Sequence, residues 1–338
     1  MNNRISKNEP EVGLVESAAN EDRVLALTGA TGFIGQTLLS KLREAGWRVK
    51  ALYRPRTGRT PSRMDGVEWI AGNLTDQDVL DRLVDGCQAV VHCAGVVRGA
   101  SREDFDRVNE EGARKIAQTA AKLTDTPRFL LVSSLAAREP ELSHYAGSKW
   151  RGECALKSVS DTMSWTIIRP PAVYGPGDRE MLPLFKGMAN GVLTVPSGSQ
   201  GRFSLIYVDD IADAIVACLS TPDTRGMTVE IDDGRDGGYD WDTMLKIGSK
   251  VLRNGKTVHR ISIPLFILKS VARINLEASK ILDYAPMLTP GKIKEISHSN
   301  WVSNEGKFAE ITGWKPNFDL ESGLACIFGQ NTSKFRDR

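Results

Sequence analysis

Tyr145 and Lys149 stand four residues apart, a spacing that on a helix puts both side chains on one face, one turn from each other. A phenol with an ordinary pKa of about 10 carries protons poorly near neutrality, and an adjacent ammonium draws it toward the working range by favouring phenolate. Ser134, eleven residues upstream of Tyr145 at the end of an apolar run, has a hydroxyl able to hold a carbonyl or alcohol oxygen while Tyr145 moves its proton. That chemistry is proton transfer beside a carbinol or ketone carbon. A second constellation lies near the start of the chain, where Gly29, Gly32 and Gly35 fall between the apolar run Val24–Thr28 and Phe33-Ile34…Leu38-Leu39…Leu42 at helical spacing. Strand, glycine turn and helix in that order make a phosphate cradle. Gly29 permits the tight turn, Gly32 lets a pyrophosphate approach bare backbone, Gly35 lets helix pack on strand, and the helix N-terminus faces the anion.

The elements around these residues alternate. A second strand, Trp47–Tyr53, ends at Arg54-Pro55-Arg56. Dinucleotide sites place an acid about 20 residues past the glycines to hold a free ribose 2′-hydroxyl, and cations there to hold a 2′-phosphate. This chain offers arginine and no acid. Arg54, supported by Arg56 or Arg59, is the expected 2′-phosphate ligand, and NADP the expected cofactor in preference to NAD. A third strand, Val67–Gly72, leads through Asn73-Leu74 to a helix capped by Thr75 or Asp76 and running to Val84. The fourth, Gln88–Cys93, ends in Ala94-Gly95, small residues that leave room for a ligand, and its His92 reads as a packed histidine rather than an acid or base. One long helix is expected from about Arg102 to Leu123, with Asn109 near its packed face, and a strand at Phe129–Val132 runs into Ser133-Ser134. Ser164–Ile168 is a strand that ends in a turn-rich loop, 169–178.

Farther on, Leu205–Val208 is a strand, Asp209-Asp210 caps a helix from Ile211 to Leu219, and Met227–Ile231 is another strand. Trp241–Leu252 is amphipathic. Ile261–Ile274 is strongly apolar, interrupted by Lys269 and Arg273 and too short to span a bilayer, and reads as a core or lid helix rather than one for a membrane surface or a partner.

Length and composition suit an α/β protein: 338 residues, 41% apolar, 25% charged and a formal charge of +2, which gives no reason to expect nucleic acid. The five cysteines form no CxxC pair and read as buried free thiols in a reducing, cytoplasmic compartment. No metal-ligating constellation and no integral membrane segment are expected. Residues 1–22 are polar, without the apolar core of a secretory leader, and are expected to be a disordered tail. The fold class that follows is α/β: a Rossmann-type doubly wound parallel sheet over 23–175, with 203–231 contributing, and a smaller α/β substrate-binding lobe from 176–202 and 232–330.

From about residue 23 to 326 the chain resembles the short-chain dehydrogenase/reductase superfamily, in its extended, epimerase/dehydratase-like branch. The matching segments are TGATGFIG at 28–35, Ala94-Gly95, VNEEGA at 108–113, LLVSSLAA at 130–137, YAGSKWRGE at 145–153, RPPAVYGPGD at 169–178, YVDDIADAI at 207–215 and TGWKP at 312–316. The resemblance implies that Ser134 polarises the substrate oxygen, Tyr145 is the acid/base, Lys149 holds the nicotinamide ribose and tunes Tyr145, and Asn109 supports the site. It implies that Thr28, Gly29, Thr31, Gly32, Phe33, Ile34 and Gly35 line the cofactor cradle, that Asn73 and Leu74 meet the adenine, and that the backbone from Pro170 to Val173 meets the nicotinamide carboxamide. It also implies a homodimer through the helices after Arg102 and Tyr145. The chain departs from the pattern at three places. Asn73 stands where relatives commonly have Asp, no Tyr-Gly follows Ser134, and Arg202 sits one residue farther from Val208 than the arginine that grips a nucleotide diphosphate in sugar-nucleotide enzymes.

The expected function is an NAD(P)-dependent oxidoreductase or epimerase acting on a small molecule, either a nucleotide sugar or a hydrophobic alcohol or ketone. The apolar segment 261–274 could wall a pocket for the latter. The alternative is a non-catalytic regulatory or assembly protein that keeps NADP as a ligand.

Overall fold

The computed structural model describes residues 23–55, 61–159, 163–198, 200–304 and 306–329, so the expected N-terminal tail and the supporting Arg56 and Arg59 lie outside the described residues. Seven strands form one sheet: β1 (Val24–Thr28), β2 (Arg48–Tyr53), β3 (Val67–Ala71), β4 (Ala89–His92), β5 (Arg128–Val132), β6 (Trp165–Arg169) and, later in the chain, β11 (Met227–Glu230). Their order is β11-β6-β5-β4-β1-β2-β3 and every pairing is parallel. Along β1, Leu25 and Leu27 point to one face and Ala26 to the other, all fully buried. Both faces are covered by helices, which is why these strands read as unbroken apolar runs. One layer contains α1 (Phe33–Glu44) and α7 (Val208–Ser220); the other contains α2 (Gln77–Val84), α3 (Arg102–Asn109), α4 (Glu111–Ala121) and α5 (His144–Lys157).

A third core lies beyond the sheet, built from Tyr174, Phe185, Met188, Leu193, Tyr239 and Leu324 among others. In this part of the chain run β7 (Ala172–Tyr174), α6 (Leu182–Ala189), β8 (Val192–Pro196), β9 (Arg202–Phe203), β10 (Leu205–Tyr207), α8 (Trp241–Ile247), β12 (His259–Ile263), α9 (Leu265–Leu282), α10 (Pro290–Ser297), β13 (Asn300–Trp301) and α12 (Leu320–Gly329), while α11 (Phe308–Thr312) packs Phe308 into the sheet core beside α1 and α7. The short strands pair as β10-β7, β12-β8 and β13-β9.

Several local expectations change. The helix expected from Arg102 to Leu123 is two helices that meet at Glu110, with φ −100° and ψ −64°. At the bend the carbonyl of Asn109 lies so close to α5 that a β-carbon on Gly152 would sit 2.3 Å from its oxygen. Asp210 does not cap a helix. The helix already starts at Val208, and the fully buried Asp210 carboxylate accepts from the backbone N–H of Asn317 (2.8 Å) and Phe318 (3.0 Å), fastening the C-terminal segment. The loop 169–178 contains β7, and Trp241–Leu252 divides into α8 and a π-helical turn, Gly248–Leu252. Cys87 and Cys218 are buried and Cys93 half-buried, but Cys154 and Cys326 are exposed because they lie on outward faces of α5 and α12.

The apolar segment 261–274 is the largest correction. It is not core: Ile261, Phe266, Ile267, Val271 and Ile274 are all exposed, and of α9 only Ala272 and Ser279 are buried. Among the described residues no helix is long and apolar enough to cross a membrane.

The tightest point in the sheet layer is Gly35, where a β-carbon would lie 2.0 Å from the Gly29 carbonyl oxygen. Gly35→Ala must push α1 off β1, an overpacking cost of about 1–3 kcal/mol. Urea unfolding should show a lower midpoint at unchanged slope, and an unshifted midpoint would show that the contact relaxes freely.

Candidate active site

The sheet order reverses at β1, which lies between β4 and β2, so a crevice opens beyond the C-terminal ends of β1 and β4. The glycine turn sits there. Gly29 has φ +74°, and a β-carbon on it would lie 2.6 Å from the Ala94 nitrogen, so the turn packs backbone to backbone on the end of β4. The Gly32 N–H donates to the Gly29 carbonyl at 2.9 Å. Helix α1 begins with no side-chain cap and no acid in its first turn, which leaves its N-terminal N–H groups and positive dipole end to an anion. These are the features a pyrophosphate needs. Thr31 is exposed at the turn and Phe33 and Ile34 are half-buried, Phe33 on the side of Gly177. Thr28 is fully buried, and its hydroxyl is spent on His92 Nδ1 (2.8 Å) and the Ala94 N–H (3.2 Å), so it braces the cradle from inside the sheet. His92 is the packed histidine expected, kept neutral by burial that lowers its pKa to about 3.

Around the same edge the chain places Arg54, exposed at the end of β2; Asn73 and Leu74 after β3; and Ala94 and Gly95 after β4. The Asn73 carbonyl oxygen is committed to the Thr75 N–H at 2.8 Å, which leaves its amide nitrogen to offer an adenine. Leu74 packs against Gly112 of α4. Pro170 follows β6, its carbonyl accepting from the Leu135 N–H at 2.8 Å beside Ser134, and Val173 lies in β7 opposite Ile206.

Ser134 follows β5, and its hydroxyl accepts from the Ala136 N–H at 3.2 Å and lies beside the Tyr145 phenol. Tyr145 lies in the first turn of α5, whose N-cap Ser143 accepts from the Ala146 N–H at 2.9 Å. Phe105 meets the Tyr145 ring edge-on at 6.1 Å between centroids. One turn on, the buried Lys149 donates from Nζ to the Val132 carbonyl at 2.8 Å. Asn109 does not reach the phenol. Its amide bonds both backbone groups of Val96 (2.9 and 3.0 Å) and the Ser148 hydroxyl (2.9 Å), joining the loop after β4 to α5.

The electrostatics differ from the simple pairing of phenol and ammonium. Burial pushes Tyr145 up to about 12, opposed by the neighbouring Ser134 hydroxyl and aided by the Glu295 carboxylate. Burial also lowers Lys149 to about 8, against the pull of Cys93 and Glu153. Desolvation therefore outweighs the ammonium, which is turned to the Val132 carbonyl, and the phenol is protonated at neutral pH.

Two acids given no role in the sequence reading support α5. Glu153, fully buried, accepts from Ser133 Oγ at 2.5 Å and from Arg169 at 2.8 and 2.7 Å, pinning the helix to β5 and β6. Its place one turn beyond Lys149 was a usable signal. Glu295 of α10 accepts from the Ser143 hydroxyl and from Lys292 at 2.9 Å, a contact across 152 residues that no spacing announces. Arg202, the residue near a nucleotide-diphosphate position, is tied to the carbonyls of Gly237 and Gly238 and lies 3.4 Å from Asp240.

The sequence profile described as "NAD dependent epimerase/dehydratase family" matches residues 25–231. Ceramide reductase of Caulobacter vibrioides is 37% identical over 301 residues, covering 89% of this chain and 92% of that protein. UDP-glucose 4-epimerase of Vibrio cholerae is 24% identical, covering 89% and 93%. In fold the chain is similar to UDP-glucuronic acid 4-epimerase from Bacillus cereus solved in complex with NAD, with a TM-score of 0.68, 18% identity and coverage of 90% and 96%.

Because Lys149 ionises near 8 rather than near 10.5, it is a cation below that pH and neutral above it. Nucleotide affinity, read by fluorescence titration, should weaken as pH rises through about 8. Lys149→Met should bind weakly at all pH values, and a wild-type affinity flat from neutral pH to well above 8 would contradict this assignment.

Proposed function

The chain belongs to the NAD dependent epimerase/dehydratase family, and from that footing we propose that it is a reductase that uses NADP to turn the ketone of a long-chain, ceramide-like lipid into an alcohol. The observation that carries the reading is the placement of Ser134 at the end of β5, Tyr145 in the first turn of α5 and the buried Lys149 one turn on, all at the sheet edge that holds the glycine turn. The 37% likeness to ceramide reductase supports the lipid. The commitment of Arg202 to backbone carbonyls and Asp240 disfavours a nucleotide diphosphate in its place.

When bound, the dinucleotide supplies the hydride that reaches the carbonyl carbon. The cradle at Gly29, Gly32 and Gly35 and the first N–H groups of α1 hold its pyrophosphate, and Arg54 holds its 2′-phosphate. Asn73 and Leu74 flank the adenine, and the backbone from Pro170 to Val173 orients the far end. Ser134 donates a hydrogen bond to the substrate oxygen, and Tyr145 gives its proton to that oxygen as negative charge develops. Lys149, cationic below about pH 8, holds the ribose hydroxyls and stabilises the phenolate left behind. Two copies pair through α4 and α5, where Trp150 is exposed.

Tyr145→Phe should lower kcat by about 10²–10⁴-fold while NADPH affinity is kept, and unchanged turnover would end the acid assignment. Arg54→Ala should weaken NADPH about tenfold and NADH little, since it removes a charge-assisted bond made only to the 2′-phosphate. Absorbance assays should show NADPH consumed with a ceramide-like ketone and not with UDP-glucose. Turnover of UDP-glucose without net loss of NADPH would replace this reading with an epimerase.

A further inference from the structure

Helix α9 carries its apolar side chains toward solvent. Phe266 is 71% exposed, Ile274 70%, Ile281 83% and Leu282 70%, and Ile267 and Val271 lie between them on the same face. The opposite stripe, through Ala272 and Ser279, is the one that packs on the body of the protein. At about 100° per residue, the exposed cations Lys269, Arg273 and Lys280 fall together on one flank, between the buried stripe and Phe266, where Lys280 pairs with the exposed Glu277 at 2.8 Å and Lys269 and Arg273 carry the flank's net positive charge. Between residues 256 and 295 the chain has seven Lys and Arg against three acids, a surplus of four, whereas the surplus of the whole chain is two.

We propose that α9 is a membrane-surface helix, lying in the interface of an anionic phospholipid bilayer with Phe266, Ile267, Val271, Ile274, Ile281 and Leu282 among the acyl chains and Lys269 and Arg273 at the phosphates. A large apolar face beside a cationic flank is the pattern that binds anionic lipid surfaces, where long cationic side chains bury their stems and keep their charges at headgroup level. A second copy of this chain is the weaker occupant, since an isologous contact would set one segment with a surplus of four positive charges against another. The helix is also joined to the site. The Asn275 amide of α9 donates to the Leu288 carbonyl at 2.8 Å, fixing the turn into α10, and Glu295 of α10 bonds the Ser143 that caps the Tyr145 helix. A bilayer seated on α9 thus lies one helix away from the proposed proton donor. The docking stands on the exposed face and does not depend on which ketone is reduced.

The test is co-sedimentation of the full chain with phosphatidylcholine vesicles, with and without about 30 mol % phosphatidylglycerol, in the absence of nucleotide and substrate. The expected result is sedimentation with anionic vesicles, about tenfold weaker on neutral ones and reduced by salt. The triple variant Phe266→Ser, Ile274→Ser, Ile281→Ser should lose at least about tenfold in binding, with circular dichroism and thermal midpoint retained because all three side chains face solvent. Lys269→Glu with Arg273→Glu should abolish the preference for anionic lipid. Absence of sedimentation, sedimentation indifferent to these variants, or a dimer dispersed by the triple variant without vesicle binding would each overturn the proposal. Vesicle binding is read without turnover, so its failure leaves the reductase reading standing, and loss of reductase activity on a soluble ketone leaves the docking standing.

Discussion

A β-carbon on Gly35 would lie 2.0 Å from the Gly29 carbonyl oxygen, and one on Gly29 2.6 Å from the Ala94 nitrogen, so three stretches of backbone meet with no side chain between them. That contact sets the distance of α1 from the sheet and the depth of the crevice where the strand order reverses. Everything placed along the edge refers to it: Arg54 after β2, Gly95 after β4, and Ser134 after β5. A second close approach, Gly152 against the Asn109 carbonyl, brings α5 in at the height that lets Lys149 reach Val132 and Tyr145 reach Ser134.

Burial shifts both titrating groups once this frame is closed. The sequence suggests a tyrosine lowered by its lysine; the folded protein raises the tyrosine to about 12 and lowers the lysine to about 8. Both groups lose more by leaving water than they gain from each other while the Nζ donates to a carbonyl. The phenol is thus neutral near pH 7 and able to donate.

Much of this was legible in the chain because the relevant constraints are local. Val24–Thr28 and Ala89–His92 are continuous apolar runs because a parallel strand is covered on both faces, and the glycine spacing follows from one turn and one helix start. What was not legible depends on contacts made across the chain. The break at Glu110 answers to Gly152, the Asp210 carboxylate to backbone more than a hundred residues away, and Ser143 to Glu295. The exposure of α9 shows a further limit: apolar periodicity marks a face that avoids water, but it does not say whether protein or something outside it provides the cover.

Net reduction by hydride from the nicotinamide separates this protein from an epimerase. Its most direct measurement is mass spectrometry of the lipid alcohol formed from a ceramide-like ketone and NADPH deuterated at the transferable position of the nicotinamide. One deuterium on the carbinol carbon of each product molecule, matched by NADPH consumed, is the predicted result. An unlabelled product, or an isomerised substrate formed with no net consumption of NADPH, would contradict it.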